Sequence, residues 1–146
     1  MARASASFRM TAAPTNLLPG ASLYSVASIR LHLREVQVYN TTTTAAGIAL
    51  IRLTTAGTQG AAITEAKYDA DQPTIQGTAF NSHTSTGPTI TDELARGDLG
   101  AAIGSGVIWT FDVDPIRIPP GTANGVGLIT PTGTGQICDV VFVWEE

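Results

Sequence analysis

The chain has 146 residues, 43% of them hydrophobic and only 14% charged, with a net charge of −4 and a single cysteine, Cys138. That length suits one domain, 1–146, able to bury a core without staples, and a lone cysteine excludes an intrachain disulfide framework. Seven Arg and one Lys without a basic cluster exclude nucleic-acid binding by counterion release, and no run of about 18 apolar residues is present to span a membrane.

Charged residues usually make up about a quarter of a domain. A surface this poor in charge is covered by Thr, Ser, Ala and Gly or by another protein, and an oligomer or assembly is expected. Met1–Ser7 carries a charge but no apolar stretch behind it, so it does not read as a secretory signal; a soluble chain made in a cytoplasm is expected.

In chain order, Ser5–Thr11 reads as a first strand or as part of an extended N-terminal arm, 1–16. Pro14, Pro19 and Gly20 break the next stretch into a loop carrying Leu17 and Leu18. Ala27–Tyr39 predicts a long strand with a change of phase. Ile29, Leu31 and Leu33 share one face, whereas Val36 and Val38 fall on the opposite parity. One extra residue near Arg34-Glu35, a β-bulge, returns both sets to the core.

Asn40–Ala46 is a Thr-rich turn. Gly47–Thr55 is a strand apolar on both parities, which predicts burial by the core on one face and by a neighbour on the other. Ala62–Tyr68 is a weaker edge strand carrying Glu65 and Lys67. Asp69–Gly77 is a loop, Thr78–His83 a short strand, and Thr89–Leu99 divides between a strand and a helical turn. Gly106–Ile118 begins as a strand until Pro115 forces a bulge or an edge position. Pro119-Pro120-Gly121 then turns the chain, and Gly125–Thr130 and Gln136–Glu145 read as a closing pair joined by the turn at 131–135. About eight strands predict an all-β, single-domain β-sandwich of jelly-roll type.

The residues that carry chemistry elsewhere do not combine here. His32 opposes Leu31 and Leu33 in parity and faces solvent or a partner, while His83 ends a weak strand. Neither belongs to a cluster with metal-ligand spacing. Cys138 sits in an apolar strand as a small core residue, with no base to activate it. Asp69-Ala70-Asp71 opens like a calcium loop but lacks its glycine and closing glutamate. Asp112 and Asp114 read as a solvent-facing edge rather than an acid–base pair. Asn40-Thr41-Thr42 matches a glycosylation acceptor only through Thr content, and Gly100–Gly106 lacks the ending of a phosphate loop. Trp109, Phe111, Phe142 and Trp144 could stack on a sugar, but on alternating strands they read as core or subunit interface. The expectation is a protein without catalytic residues, metal or cofactor.

Leu33-Arg34-Glu35-Val36, Leu50–Thr58, Thr78-Ala79-Phe80-Asn81, Gly106–Phe111, Ile118–Gly125 and Val141–Glu146 together resemble small proteins from the structural regions of tailed bacteriophages. The resemblance implies a head decoration (cement) or related minor capsid protein. Such a protein is a β-sandwich that trimerises, binds the major capsid protein and sits on the outer surface of the virion capsid after synthesis in the host cytoplasm. Candidate contacts are Phe8, Arg9 and Met10 of the arm, and Arg34, Arg52 and Arg117 at strand ends, arginine being the charge enriched at interfaces. The rival readings are a carbohydrate- or receptor-binding module using Trp109 or Trp144, a tail or head-fibre base component, and a small metal-dependent enzyme on a β-barrel.

Overall fold

A computed structural model describes residues 1–133 and 135–146. Among them the chain forms strands and no helix: β1 Arg3–Arg9, β2 Ala21–Tyr24, β3 Leu31–Asn40, β4 Ala46–Leu53, β5 Ala62–Ile63 and β6 Ala66–Lys67. The remainder are β7 Thr78–Asn81, β8 Ile90–Leu99, β9 Gly106–Thr110, β10 Ile116–Ile118, β11 Gly125–Ile129 and β12 Cys138–Glu145. Two antiparallel sheets face each other. Sheet A runs β10-β3-β12-β1-β6, with β9 continuing β10 along the same flank of β3; sheet B runs β5-β7-β2-β11-β4-β8.

The pairing is nested. β1 pairs with β12, β2 with β11, β3 with β9 and β10, and β4 with β8, each pair lying inside the previous one in sequence. Successive pairs alternate between sheet A and sheet B. The chain is therefore a long antiparallel ribbon rolled around a core, which is the jelly roll. Residues 54–89, between β4 and β8, add three short strands outside this plan. β7 extends sheet B beside β2, β5 pairs with β7, and β6 caps sheet A beside β1.

The phase change in β3 is a bulge. Opposite β12 the register passes from Val143↔Glu35 to Trp144↔Leu33, leaving Arg34 without a partner in the ladder. Leu31, Leu33, Val36 and Val38 consequently all face the core with no solvent exposure. β4 is buried on both faces. Ile48 and Leu50 join the core between the sheets, while Ala49, Ile51 and Leu53 join a second apolar cluster on the outside of sheet B. The neighbour covering that cluster is the chain's own loop layer: the Tyr24 hydroxyl donates to the Thr55 carbonyl, Ala56 packs on the cluster, and Pro19 lies over Gly127.

Several expectations are corrected. Gly125–Thr130 and Gln136–Glu145 do not pair: β11 lies between β2 and β4 in sheet B, and β12 between β1 and β3 in sheet A. All five residues of β11 are buried, so it fits an inner strand and not one arm of a peripheral hairpin. The connecting turn crosses from one sheet to the other, and its Thr134 lies outside the described residues. A strand is present at Ala21–Tyr24, where no element was expected.

The strand expected from Ala27 starts at Leu31, because Val26 and Ile29 close a small turn first. Ala62–Tyr68 splits into β5 and β6 on different sheets, and Thr89–Leu99 resolves as strand β8. Gly106–Ile118 is interrupted at 111–115, the excursion that contains Pro115, and both halves lie on the flank of β3. β2, β8 and the division of two expected strands into β5 and β6 and into β9 and β10 account for the difference from eight strands.

Candidate interaction surface

The 1–16 segment is built into the sandwich. β1 is an inner strand of sheet A between β12 and β6, and Ala4, Ala6 and Met10 are buried. Phe8 follows the same parity and packs half-buried on Phe142, ring centroids 6.4 Å apart. Met10 lies under Gly20, where a β-carbon would sit 2.5 Å from its sulfur. Of the three arm candidates only Arg9 stands at the surface, in a two-pronged ion pair with Asp139, its partner across the ladder, at 2.7 and 2.9 Å.

The other three candidates converge on one end of the sandwich. Arg34, the bulged residue, donates from Nε and Nη2 to Glu145 Oε2 and from Nη1 to the Asp112 carbonyl, fixing both the bulge and the 111–115 excursion. Arg52 continues the inward parity of Ile48 and Leu50 past the rim of the core. It reaches across to sheet A, where its Nη1 donates to the Arg117 carbonyl at 3.0 Å. Arg117 itself makes a loose 3.6 Å pair with exposed Asp114.

Register adds residues that composition did not single out. Arg117 of β10 lies opposite His32 of β3, His32 opposite Glu145 of β12, and Glu145 opposite Arg3 of β1. These side chains alternate with core residues Ile118, Leu31, Trp144 and Ala4, so the row Arg117–His32–Glu145–Arg3 crosses the outer face of sheet A. Arg30 stands exposed just before β3. Burial, followed by the charges of Arg34, Arg117 and Arg30, holds the His32 imidazole below the ordinary histidine range, against a smaller opposing effect of Glu145. The parity of His32 was readable in the sequence; its neighbours across the sheet were not.

The remaining candidates serve architecture. Trp144 and Phe142 are in the core without exposure, and Trp109 lies half-buried against Gly97 on the inward side of β9. No two of these rings share an outer face. Asn40 is buried: its amide donates to the Thr44 and Gly100 carbonyls and its carbonyl oxygen accepts from Thr42. Asp69 accepts from the Asp71 backbone N–H within its own turn. The Cys138 thiol lies in the core, and burial pushes its pKa up to about 11. Among the described residues no three His, Cys, Asp or Glu side chains gather as metal ligands. A groove of about 620 Å³ lies where Met1, Ala2 and Ile29 meet Gln72, Pro73 and Glu146.

His83 has a definite structural place. Asn81, Ser82 and His83 pin the loop that follows β1: Asn81 accepts from Thr11 N, Ser82 bonds both ways with Ala12, and His83 N donates to the Pro19 carbonyl. His83 is 4% exposed, and its ring lies 6.2 Å from the Tyr24 ring. Its Nε2 meets Ser22 Oγ at 2.8 Å, and its Nδ1 has no partner among the described residues.

Such a site holds a neutral imidazole, and burial lowers its pKa to about 4. The unfolded chain then binds a proton at higher pH than the native one. Stability due to this group is therefore intact above about pH 6.5 and falls as pH drops toward about 4, by about 3 kcal/mol in all. Urea titrations at stepped pH should show this loss in the native chain and a shallower one in His83→Gln; parallel profiles for the two would refute it.

Neither family models, curated proteins nor solved structures yield a match to this chain.

Proposed function

We propose that this chain is a non-enzymatic virion structural protein, a decoration or cement protein that acts as a homotrimer and binds the major capsid protein on the outside of a tailed-bacteriophage head. The observation that carries the reading is the uncovered apolar material on one flank. Ile103, Ile108 and Val113 are 71%, 52% and 101% exposed, and they follow one another through the loop before β9, β9 itself and the excursion after it. Met1, Leu17 and Tyr68 are exposed elsewhere, singly, whereas these three follow one another along one stretch of chain, and an apolar run of this kind suits contact with another protein.

Three further features support the same job. The phage resemblance spans most of the chain. The body is rigid, with both ends paired to each other in β1 and β12 and the interior polar side chains of Asn40, Asn81, Ser82 and Thr130 all hydrogen-bonded. The polar ladder Glu35–Gln37–Tyr39 on the outside of sheet A is internally bonded, giving a preformed face that loses little freedom on docking. A cement protein acts by shape and contact area multiplied through symmetry, and needs no chemical step. The experiment is co-sedimentation of the purified chain with phage heads stripped of their external proteins.

A further inference from the structure

We infer that the outer face of sheet A around Arg3, Arg30, His32 and Arg117 is a docking surface for an acidic segment of a protein partner, recognised through separate carboxylates. The inference rests on the capsid-binding reading for its biological setting but on the geometry of this row for its chemistry.

The charge distribution comes first. The chain is net negative, yet Arg3, Arg30, Arg34 and Arg117, half of its eight Lys and Arg, meet at one end of one sheet. Arg34 is committed: each of its three nitrogens donates, to Glu145 or to the Asp112 carbonyl. The others are not. Arg3 and Arg30 have no carboxylate partner among the described residues, and Arg117 has only the long contact to Asp114, whose side chain is 86% exposed. Arg3 lies with its guanidinium carbon 5.0 Å above the ring of Tyr68, and its Nε is buried without a hydrogen-bond partner. Stacking on the ring orients the guanidinium, and since its Nε is buried, the two terminal nitrogens are the ones left to meet a carboxylate.

The spacing then selects the partner. Arg117, His32, Glu145 and Arg3 occupy four adjacent strands, so the outer two arginines stand roughly 14 Å apart. Glu145 sits inside the row. A polyphosphate backbone crossing it would carry charge at every step and meet a carboxylate midway. Carboxylates placed at intervals on a polypeptide can meet Arg117 with Arg30 on one side and Arg3 on the other without approaching Glu145.

The test uses the whole chain, labelled for NMR, titrated with a hexaglutamate peptide, and separately with a single-stranded oligonucleotide and inorganic phosphate. The expected result is peptide-induced change at Arg3, Arg30, His32 and Arg117 and a rise in the His32 pKa. Affinity should fall with salt and weaken about tenfold in the double variant Arg30→Glu/Arg117→Glu. Both side chains are at the surface, so the fold should survive, and Arg96→Glu, an exposed arginine on β8, should leave binding unchanged. Peptide binding unaffected by the double variant, changes centred elsewhere, or a tighter response of the same residues to the oligonucleotide would overturn the inference. Peptide binding without head binding would keep this surface and remove the capsid reading. Head binding undiminished in the double variant would keep the capsid reading and remove this surface.

Discussion

Replacing Trp144 by alanine is expected to lower the stability of the domain by about 3–5 kcal/mol, a fall in Tm of roughly 10 °C. Trp144 is the largest fully buried side chain and lies on β12, the central strand of sheet A, between Leu33 of β3 and Ala4 of β1. Both flanking strands pack through it onto sheet B, so the loss leaves a cavity where the rolled ribbon is held together. The indole N–H lies 3.4 Å from Glu146 Oε1, a weak bond that adds little. Trp109, on the edge strand β9 and only half-buried, should cost clearly less when truncated, because the edge can settle onto Gly97. Thermal denaturation of the two variants measures the difference. Equal, small losses would show that Trp144 is not a core residue and would reopen a surface role for it.

The Arg34–Glu145 pair carries the second large effect. Its side chains are only 17% and 16% exposed, and the arginine also holds the Asp112 carbonyl. Removing one partner of a buried pair strands the other charge and costs about 3–5 kcal/mol; with the remaining solvent contact here, about 2 kcal/mol is expected for Arg34→Leu. Glu145→Leu should cost a similar amount, since it leaves the half-enclosed guanidinium with the Asp112 carbonyl and no carboxylate. The double variant Arg34→Leu/Glu145→Leu should recover much of the loss, because neither charge is then left behind. A double-mutant cycle by urea denaturation reads this directly. Strict additivity would mean that the pair is a surface contact and that the bulge holds by backbone geometry alone.

What could be read from the sequence follows the range of the interactions involved. The β3 bulge was legible because the hydrophobic phase slips by one between Leu33 and Val36, and parity is a local property. Burial of β4 on both faces was legible for the same reason. β2 was missed because four residues, Ala-Ser-Leu-Tyr after Pro19-Gly20, are too few to show a period. The pairing of β11 with β12 was misread because adjacency in sequence favours a hairpin, whereas the roll sends each strand to an opposite sheet. β5 and β6 are two residues each and exist only because β7 and β1 offer them a ladder.

The candidate surface divides in the same way. Met10 shares parity with Ala4, Ala6 and Phe8, so its burial was available in the pattern. Arg34, Arg52 and Arg117 were singled out by residue type, and the fold gathers them at one end. The row through His32 and Arg3 depends on cross-strand register over four strands, which no local pattern contains.

Co-sedimentation with stripped phage heads tests the central proposal most directly. Saturable binding at a fixed ratio in multiples of three chains is expected, with the decorated heads surviving heating that opens bare ones. A chain that stays at the top of the gradient at every concentration, with heads opening at an unchanged temperature, would contradict it.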